Sequence, residues 1–123
     1  MGSLSVAAIV VSHAQADLLA RSLAALSEQT HPIQQVVVVE TAGDQASIDL
    51  ALSFGFSVIE PGPLKLGAAI QAGINSLSET PGWIWVLHED AIAEPDALKY
   101  LSQAAEISPL SLIHISEPTR LLS

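Results

Sequence analysis

The chain contains no cysteine among its 123 residues, so it can form neither disulfide bonds nor thiolate metal sites. This absence predicts a cytoplasmic location. Apolar runs are short as well, since none approaches the roughly 18 residues that a membrane-spanning helix requires. The N-terminal segment also lacks the basic start of a signal peptide. We therefore expect no transmembrane segment in this chain, while membrane association of the parent protein stays open.

Basic residues are equally scarce. Only Arg21, Lys65, Lys99 and Arg120 oppose 13 acidic residues, which gives a formal net charge of −9. Nucleic-acid binding depends on clustered lysine and arginine, so this balance excludes nucleic acid as a partner. Acidity of this kind is typical of a soluble surface, but it also suits a protein whose carboxylates hold a divalent cation. The charge alone leaves both interpretations open.

Half of the residues are hydrophobic, which is enough for the core of one domain. Strand-like apolar runs alternate with amphipathic helical stretches, the pattern of a parallel α/β sheet. The predicted strands are 6–11, 35–39, 56–59 and 83–87. The predicted helices are 14–27, a short one that Asp44 caps and Gly55 ends, 66–77, and a last one beginning at Glu94-Pro95. The order is βαβαβαβα, and right-handed crossovers restrict its topology.

The sequence changes character at Leu110. Residues 110–120 read LSLIHISEPTR, which resembles the translation of a transposase adapter used in sequencing libraries. We therefore predict that 1–109 form a partial domain and that 110–123 are a non-native tail. On this interpretation, the natural protein continues beyond Pro109. The alternative is a genuine fifth strand over 112–115.

Three polar residues, His88, Glu89 and Asp90, directly follow the fourth predicted strand. Open α/β sheets bind their ligands at the carboxyl ends of strands. Mg²⁺ and Mn²⁺ prefer oxygen ligands and complete their coordination with water and substrate phosphates, so one or two protein ligands are enough. The pattern favours a cation site and a merely solvated strand end about equally.

The segment 83–91, together with Glu94-Pro95-Asp96-Ala97-Leu98, is similar to the Asp-x-Asp segment of family 2 glycosyltransferases. The resemblance gives Asp90 the place of the final metal-binding acid. His88 stands where the first Asp usually lies, and histidine is a better ligand for Mn²⁺ than for Mg²⁺. The resemblance thus implies a Mn²⁺ or Mg²⁺ cofactor at Asp90 and His88, with Glu89 facing the nucleotide ribose or solvent.

Two earlier segments resemble the nucleotide-binding part of the same family. Residues 8–13 are similar to the first strand and the loop that receives a uracil or guanine base, which implies roles for Ser12 and His13. Residues 36–44 are similar to the second strand and the acid that follows it. That acid is usually Asp and contacts the base or the ribose, whereas Glu40 occupies its place here.

A third segment, 66–73, resembles the glycine-containing stretch of the family. Glycine inside a helix costs about 1 kcal/mol relative to alanine, so Gly67 indicates close approach of some group. A helix N-terminus favours an anion such as a diphosphate, and Lys65 just before it supports the same charge. Tight packing of the helix on the sheet is the alternative reason for this glycine.

The resemblance covers roughly residues 5–105. It implies a three-layer, Rossmann-like GT-A half-domain with a mostly parallel sheet of strand order 3-2-1-4. It also implies binding of a nucleoside-diphosphate sugar, with a bacterial parent protein that transfers the sugar to an acceptor hydroxyl. No catalytic residue is assigned, because the family's general base comes from the second half of the domain. We accordingly expect the 123-residue chain to be inactive in transfer.

Two other classes of protein stay open. A nucleotidyltransferase should carry a glycine-rich loop with lysine or arginine after its first strand, where this chain has Ser12-His13-Ala14-Gln15. A receiver-like, non-catalytic module should carry an acidic pair after the first strand and a lone Asp after the third. The sequence does not fix the oligomeric state.

Overall fold

A computed structural model describes residues 5–79, 81–91 and 93–95, and the backbone of 112–114. Its elements are β1 (Val6–Ser12), α1 (Ala16–Ser27), β2 (Gln35–Glu40), α2 (Gln45–Ser53), β3 (Ser57–Ile59), α3 (Leu66–Asn75), β4 (Trp83–His88) and β5 (Leu112–His114). The sheet has the strand order β3-β2-β1-β4-β5. The first four strands pair in parallel. The α/β class and the order 3-2-1-4 are therefore confirmed.

The strand β5 pairs antiparallel with β4 and is the outermost strand on that side of the sheet. It falls within the segment that resembles an adapter translation, and it corresponds to the fifth strand considered as the alternative. A strand here is compatible with either origin, so the boundary at Pro109 stays a prediction. The body of the last predicted helix, which follows Pro95, lies outside the described residues.

The sheet is covered on both faces, which explains why its strands are continuously apolar. Alternate residues of each strand point to opposite faces. One face forms a core with α1 and α2, and it contains Val6, Ala8, Val10, Leu19, Leu23, Trp83 and Trp85. The other face packs against α3 and contains Ile9, Val11, Val37, Val39, Ala69 and Ile84. The chain thus forms three layers, with the strand ends free to hold polar groups.

Local chemistry explains where two of the helices begin. The helix α1 begins at Ala16, two residues later than predicted, because Ala14 has a φ of 56° and cannot belong to a right-handed helix. The predicted cap of α2 is confirmed, since Asp44 Oδ2 accepts a hydrogen bond from Ser47 N at 3.0 Å. Among the described residues, no helix is long and apolar enough to cross a membrane.

The tight packing considered for Gly67 occurs instead at Gly73. A Cβ on Gly73 would lie 2.8 Å from Ile9 Cγ2 and 3.0 Å from Val39 Cγ2, so only glycine allows α3 to approach β1 and β2 this closely. Gly67 is exposed, and a Cβ there would meet no atom within 4 Å. Packing against the described protein therefore does not account for Gly67.

Candidate functional site

The carboxyl ends of β1, β2 and β4 meet at one edge of the sheet. Ser12 pairs with Glu40, and Val11 pairs with His88. The connections through α1 and α2 cover one face and that through α3 covers the other, so the topological switch lies between β1 and β4. Ligands of open α/β sheets bind at such a switch point. The predicted residues after three separate strands are thereby brought to a single edge.

Two loops at this edge are joined through a buried carboxylate. We call residues 12–15 the first loop and residues 40–44 the second loop. Glu40 is fully buried. Its carboxylate accepts hydrogen bonds from Ala14 N at 3.1 Å, Ala42 N at 3.0 Å and Asp44 N at 3.3 Å. Burial of a carboxylate requires such donors, and here backbone amides of both loops supply them.

Thr41 forms a second connection between the same loops. Its backbone N–H and its hydroxyl both donate to the carbonyl oxygen of Ser12, at 2.9 and 3.0 Å. The hydroxyl oxygen also lies 2.9 Å from His13 Nδ1. Because the single hydroxyl hydrogen points to Ser12, it is Nδ1 that donates to Thr41, and this assignment leaves Nε2 of a neutral ring as an acceptor. Thr41 was missed in the sequence, although it directly follows Glu40.

The two predicted residues of the first loop differ in accessibility. His13 is exposed, whereas Ser12 is fully buried. The hydroxyl of Ser12 has no hydrogen-bond partner within the part of the chain that the structure describes. Of these two residues, only His13 therefore presents its side chain to a ligand.

The turn after β4, which we call the β4 turn, spans residues 88–91. Its backbone is fixed by bonds from Glu89 N to Val11 O at 3.1 Å and from Ala91 N to His88 O at 3.0 Å. The side chains of His88 and Asp90 are exposed and that of Glu89 is half-buried. Within the described ranges, none of the three side chains makes a hydrogen bond, so their donor and acceptor atoms are available to a ligand.

The β4 turn contains two side chains whose atoms can coordinate a divalent cation. Asp90 offers carboxylate oxygens and His88 an imidazole nitrogen. No group of three His, Asp or Glu side chains that could hold a metal occurs among the described residues. Two ligands still fit Mn²⁺, which accepts both atom types and takes the rest of its shell from water and phosphate oxygens. The arrangement suits a cation that arrives together with a phosphorylated ligand.

The N-terminus of α3 lies at the same edge, because the helix runs antiparallel to the strands that it connects. Lys65 is the exposed N-cap residue and provides no side-chain cap. The first turn has no acidic residue. First-turn amides and the lysine ammonium together favour an anion at this end.

A cavity of about 400 Å³ lies elsewhere, toward the amino ends of the strands. It is lined by Leu26, Ser27, Gln29, His31, Pro32, Ile33, Val36 and Phe56. No residue predicted for the site is among these. The candidate site is thus an open edge of the sheet rather than this cavity.

Residues 7–115 match the model of glycosyl transferase family 2, and the chain belongs to that family. It is 30% identical to the galactofuranosyltransferase GlfT1 of Mycobacterium tuberculosis, over 95% of this chain and 42% of the relative. The chain therefore spans about two fifths of the length of the curated relatives that it matches.

Solved structures show the same fold. The mannosyltransferase PcManGT from Pyrobaculum calidifontis, in complex with GDP-Man and Mn²⁺, is similar with a TM-score of 0.66 and 18% identity, covering 97% of this chain and 34% of that one. A 4-diphosphocytidyl-2C-methyl-D-erythritol synthase is similar with a TM-score of 0.72 and 15% identity, over 88% of this chain and 57% of that one. Enzymes of more than one class thus share this fold. The match to the family model, and not the fold, assigns this chain to glycosyl transferase family 2. The family and the fold are confirmed, while the role of each site residue stays a prediction.

Proposed function

We propose that the chain binds a nucleoside-diphosphate sugar and a divalent cation at the carboxyl edge of its sheet. The whole protein would then transfer the sugar to an acceptor hydroxyl. The observation that carries this proposal is the convergence of three strand ends at the topological switch, with Asp90 and His88 exposed beside the end of β1. Membership of glycosyl transferase family 2 and the general position of ligands in open α/β sheets support a donor site at this edge.

Different residues suit different parts of the donor. His13, which is exposed on the first loop and has Nε2 free to accept a hydrogen bond, is assigned to the base. The contact between Glu40 and the base or ribose stays a prediction, and the complete burial of the Glu40 side chain does not favour it. Glu89, half-buried in the β4 turn, is assigned to the ribose or to solvent.

The diphosphate is assigned to the start of α3. Lys65 brings a positive charge, and the amides of the first turn bring donors that no side chain caps. Open space around Gly67 leaves room for a phosphate against the helix backbone. A side chain at this position would occupy that space.

Asp90 and His88 would hold the divalent cation. When bound, the cation supplies Lewis-acid neutralisation of the diphosphate leaving group. The His88 imidazole favours Mn²⁺ over Mg²⁺, in line with its softer nitrogen atom. The Mn²⁺ in the mannosyltransferase structure supports a cation of this kind.

Calorimetry of the 123-residue chain with UDP and GDP tests the proposal. We expect nucleotide binding in Mn²⁺ that weakens at least about tenfold in Asp90→Ala, because an ionic ligand of the cation is removed. In EDTA, the parent and this variant should bind the nucleotide equally. The matched control is Asp49→Ala, which removes the same charge from the exposed face of α2. Equal nucleotide affinities of the parent and Asp90→Ala in Mn²⁺ would remove Asp90 from the site.

A nucleotidyltransferase shares the fold but is not favoured. Such an enzyme needs a glycine-rich, basic loop after its first strand, and the first loop here contains neither glycine nor lysine or arginine. Its backbone is also tied to the second loop through Glu40 and Thr41.

A further inference from the structure

Glu40 occupies an unusual position for a residue that is expected to meet a ligand. Its side chain has no exposed surface. The carboxylate is surrounded by amide donors, two from its own loop and one from the first loop. These three bonds end on the same oxygen, Oε2, and because the whole side chain is buried, a ligand could reach the carboxylate only if the surrounding loops moved.

The bond from Ala14 is the one that crosses between loops. Ala14 has a φ of 56°, a left-handed conformation that is unfavourable for alanine because of its Cβ. Its amide points to the Glu40 carboxylate in this conformation. A hydrogen bond to a charged acceptor is stronger than one between neutral groups, and here it offsets the strain of this conformation.

The length of the side chain matters for this contact. Glu40 pairs with Ser12 in the sheet, and Ala14 lies two residues beyond that pair, outside the strand. The amides of Ala42 and Asp44 belong to the loop that Glu40 itself begins. An aspartate ends one methylene earlier, so it can keep the local amides more easily than the amide on the other loop.

We propose that Glu40 is a positioning residue: its carboxylate holds the first loop against the second, in the shape that receives the nucleotide, and contacts no ligand. His13 Nδ1, bonded to Thr41 on the second loop, is positioned by the same arrangement. The role of Glu40 in shaping the nucleotide site rests on the proposed function. The contact that Glu40 makes between the loops does not depend on that function.

Amide hydrogen exchange, followed by NMR on the parent chain, tests the loop contact without any variant. Ala14 and Ala42 are exposed residues of loops, so their amides should exchange at solvent-like rates unless they are bonded. We expect both amides to be protected. Solvent-like exchange at Ala14 would overturn the proposal, even if every variant failed to fold.

Glu40→Asp separates positioning from ligand contact. It keeps the charge and installs the residue that the resemblance gives for direct contact with the base or ribose. If Glu40 is a positioning residue, the shorter aspartate loses the bond to Ala14 N. The amide of Ala14 should then exchange at least about tenfold faster while that of Ala42 stays protected, and the affinity for UDP or GDP should fall at least about tenfold. Direct contact predicts that nucleotide affinity is kept or improved. The matched control is Glu28→Asp, the same change at an exposed residue after α1, which should alter neither measurement.

The outcomes judge the two proposals separately. Nucleotide affinity in Glu40→Asp equal to or above that of the parent would overturn the positioning role. Unchanged exchange of Ala14 in that variant would overturn it as well. If the parent binds no nucleotide, the proposed function fails, and the Ala14 amide alone then supports or overturns the contact between the loops.

Discussion

The first and second loops and the β4 turn lie at the same edge of the sheet, but they are bonded very differently. Glu40 and Thr41 connect the loop pair: Glu40 accepts a hydrogen bond from Ala14 N at 3.1 Å, and the backbone N–H and hydroxyl of Thr41 donate to Ser12 O at 2.9 and 3.0 Å. The β4 turn has backbone bonds only, and within the described residues its polar side chains have no partner. One half of the candidate site is therefore arranged by the protein itself, whereas the other half presents free donor and acceptor atoms.

Because of this difference, substitutions in the two regions should affect different quantities, the free energy of unfolding in one and ligand affinity in the other. Substitutions in the loop pair should lower the free energy of unfolding even without ligand, because they remove bonds that exist in the protein alone. Substitutions in the β4 turn should leave stability unchanged and weaken only cation and nucleotide binding. A preformed half also limits the ordering that must accompany binding.

The largest expected effect on stability is at α3, the helix that packs on β1 and β2. Gly73→Ala should lower the free energy of unfolding by about 2 kcal/mol, because the new Cβ would overlap the Ile9 and Val39 side chains of β1 and β2. Gly67→Ala is the matched control in the same helix. It meets open space and should raise the free energy of unfolding by up to ~1 kcal/mol. Chemical denaturation measures both, and the same sign for the two changes would contradict this packing.

Thr41→Val should have the next largest effect, a loss of about 1.5 kcal/mol in the free energy of unfolding. The substitution is nearly isosteric, but it removes the hydroxyl that donates to Ser12 O and accepts from His13. His13 should also lose its fixed orientation, which would appear as a changed imidazole resonance in NMR. A stability equal to that of the parent would show that Thr41 does not connect the loops.

Asp44→Ala should cost about 1 kcal/mol by removing the N-cap of α2. Asp49→Ala, farther along the same helix, is the control and should cost only a few tenths of that. Thermal unfolding of the two variants compares them. Equal losses of stability in the two variants would mean that Asp44 does not stabilise the N-terminus of α2, where the second loop ends.

The smallest expected effect on stability is at the β4 turn. His88→Ala should change the free energy of unfolding by less than about 0.5 kcal/mol, as is usual for an exposed residue without partners. The same variant should weaken Mn²⁺-dependent nucleotide binding more than Mg²⁺-dependent binding, since the lost ligand is a nitrogen atom. A large loss of stability would break the contrast between the turn and the loop pair.

Much of the fold was predictable because it depends on local chemistry. Continuous valine and isoleucine runs indicate strands buried on both faces, and Asp44 indicates a helix start. The site was predictable only as a set of residues at strand ends. The burial of Glu40 and the bonds of Thr41 depend on the register that pairs Ser12 with Glu40, and no local pattern gives that register. The left-handed Ala14 follows from the same contact, which is why the predicted start of α1 was too early.

In the proposed site, the β4 turn and the first loop together bind one metal–nucleotide complex. Paramagnetic broadening tests it most directly: Mn²⁺ and UDP or GDP are added to the isotopically labelled chain, and amide resonances are followed residue by residue. We expect strong broadening at 88–91 and in the first loop, sharp signals for Ile33 and Val36 at the opposite edge, and loss of the effect in Asp90→Ala. Broadening centred on other acidic residues, or signals at 88–91 that stay sharp, would contradict a metal–nucleotide site at the β4 turn and the first loop.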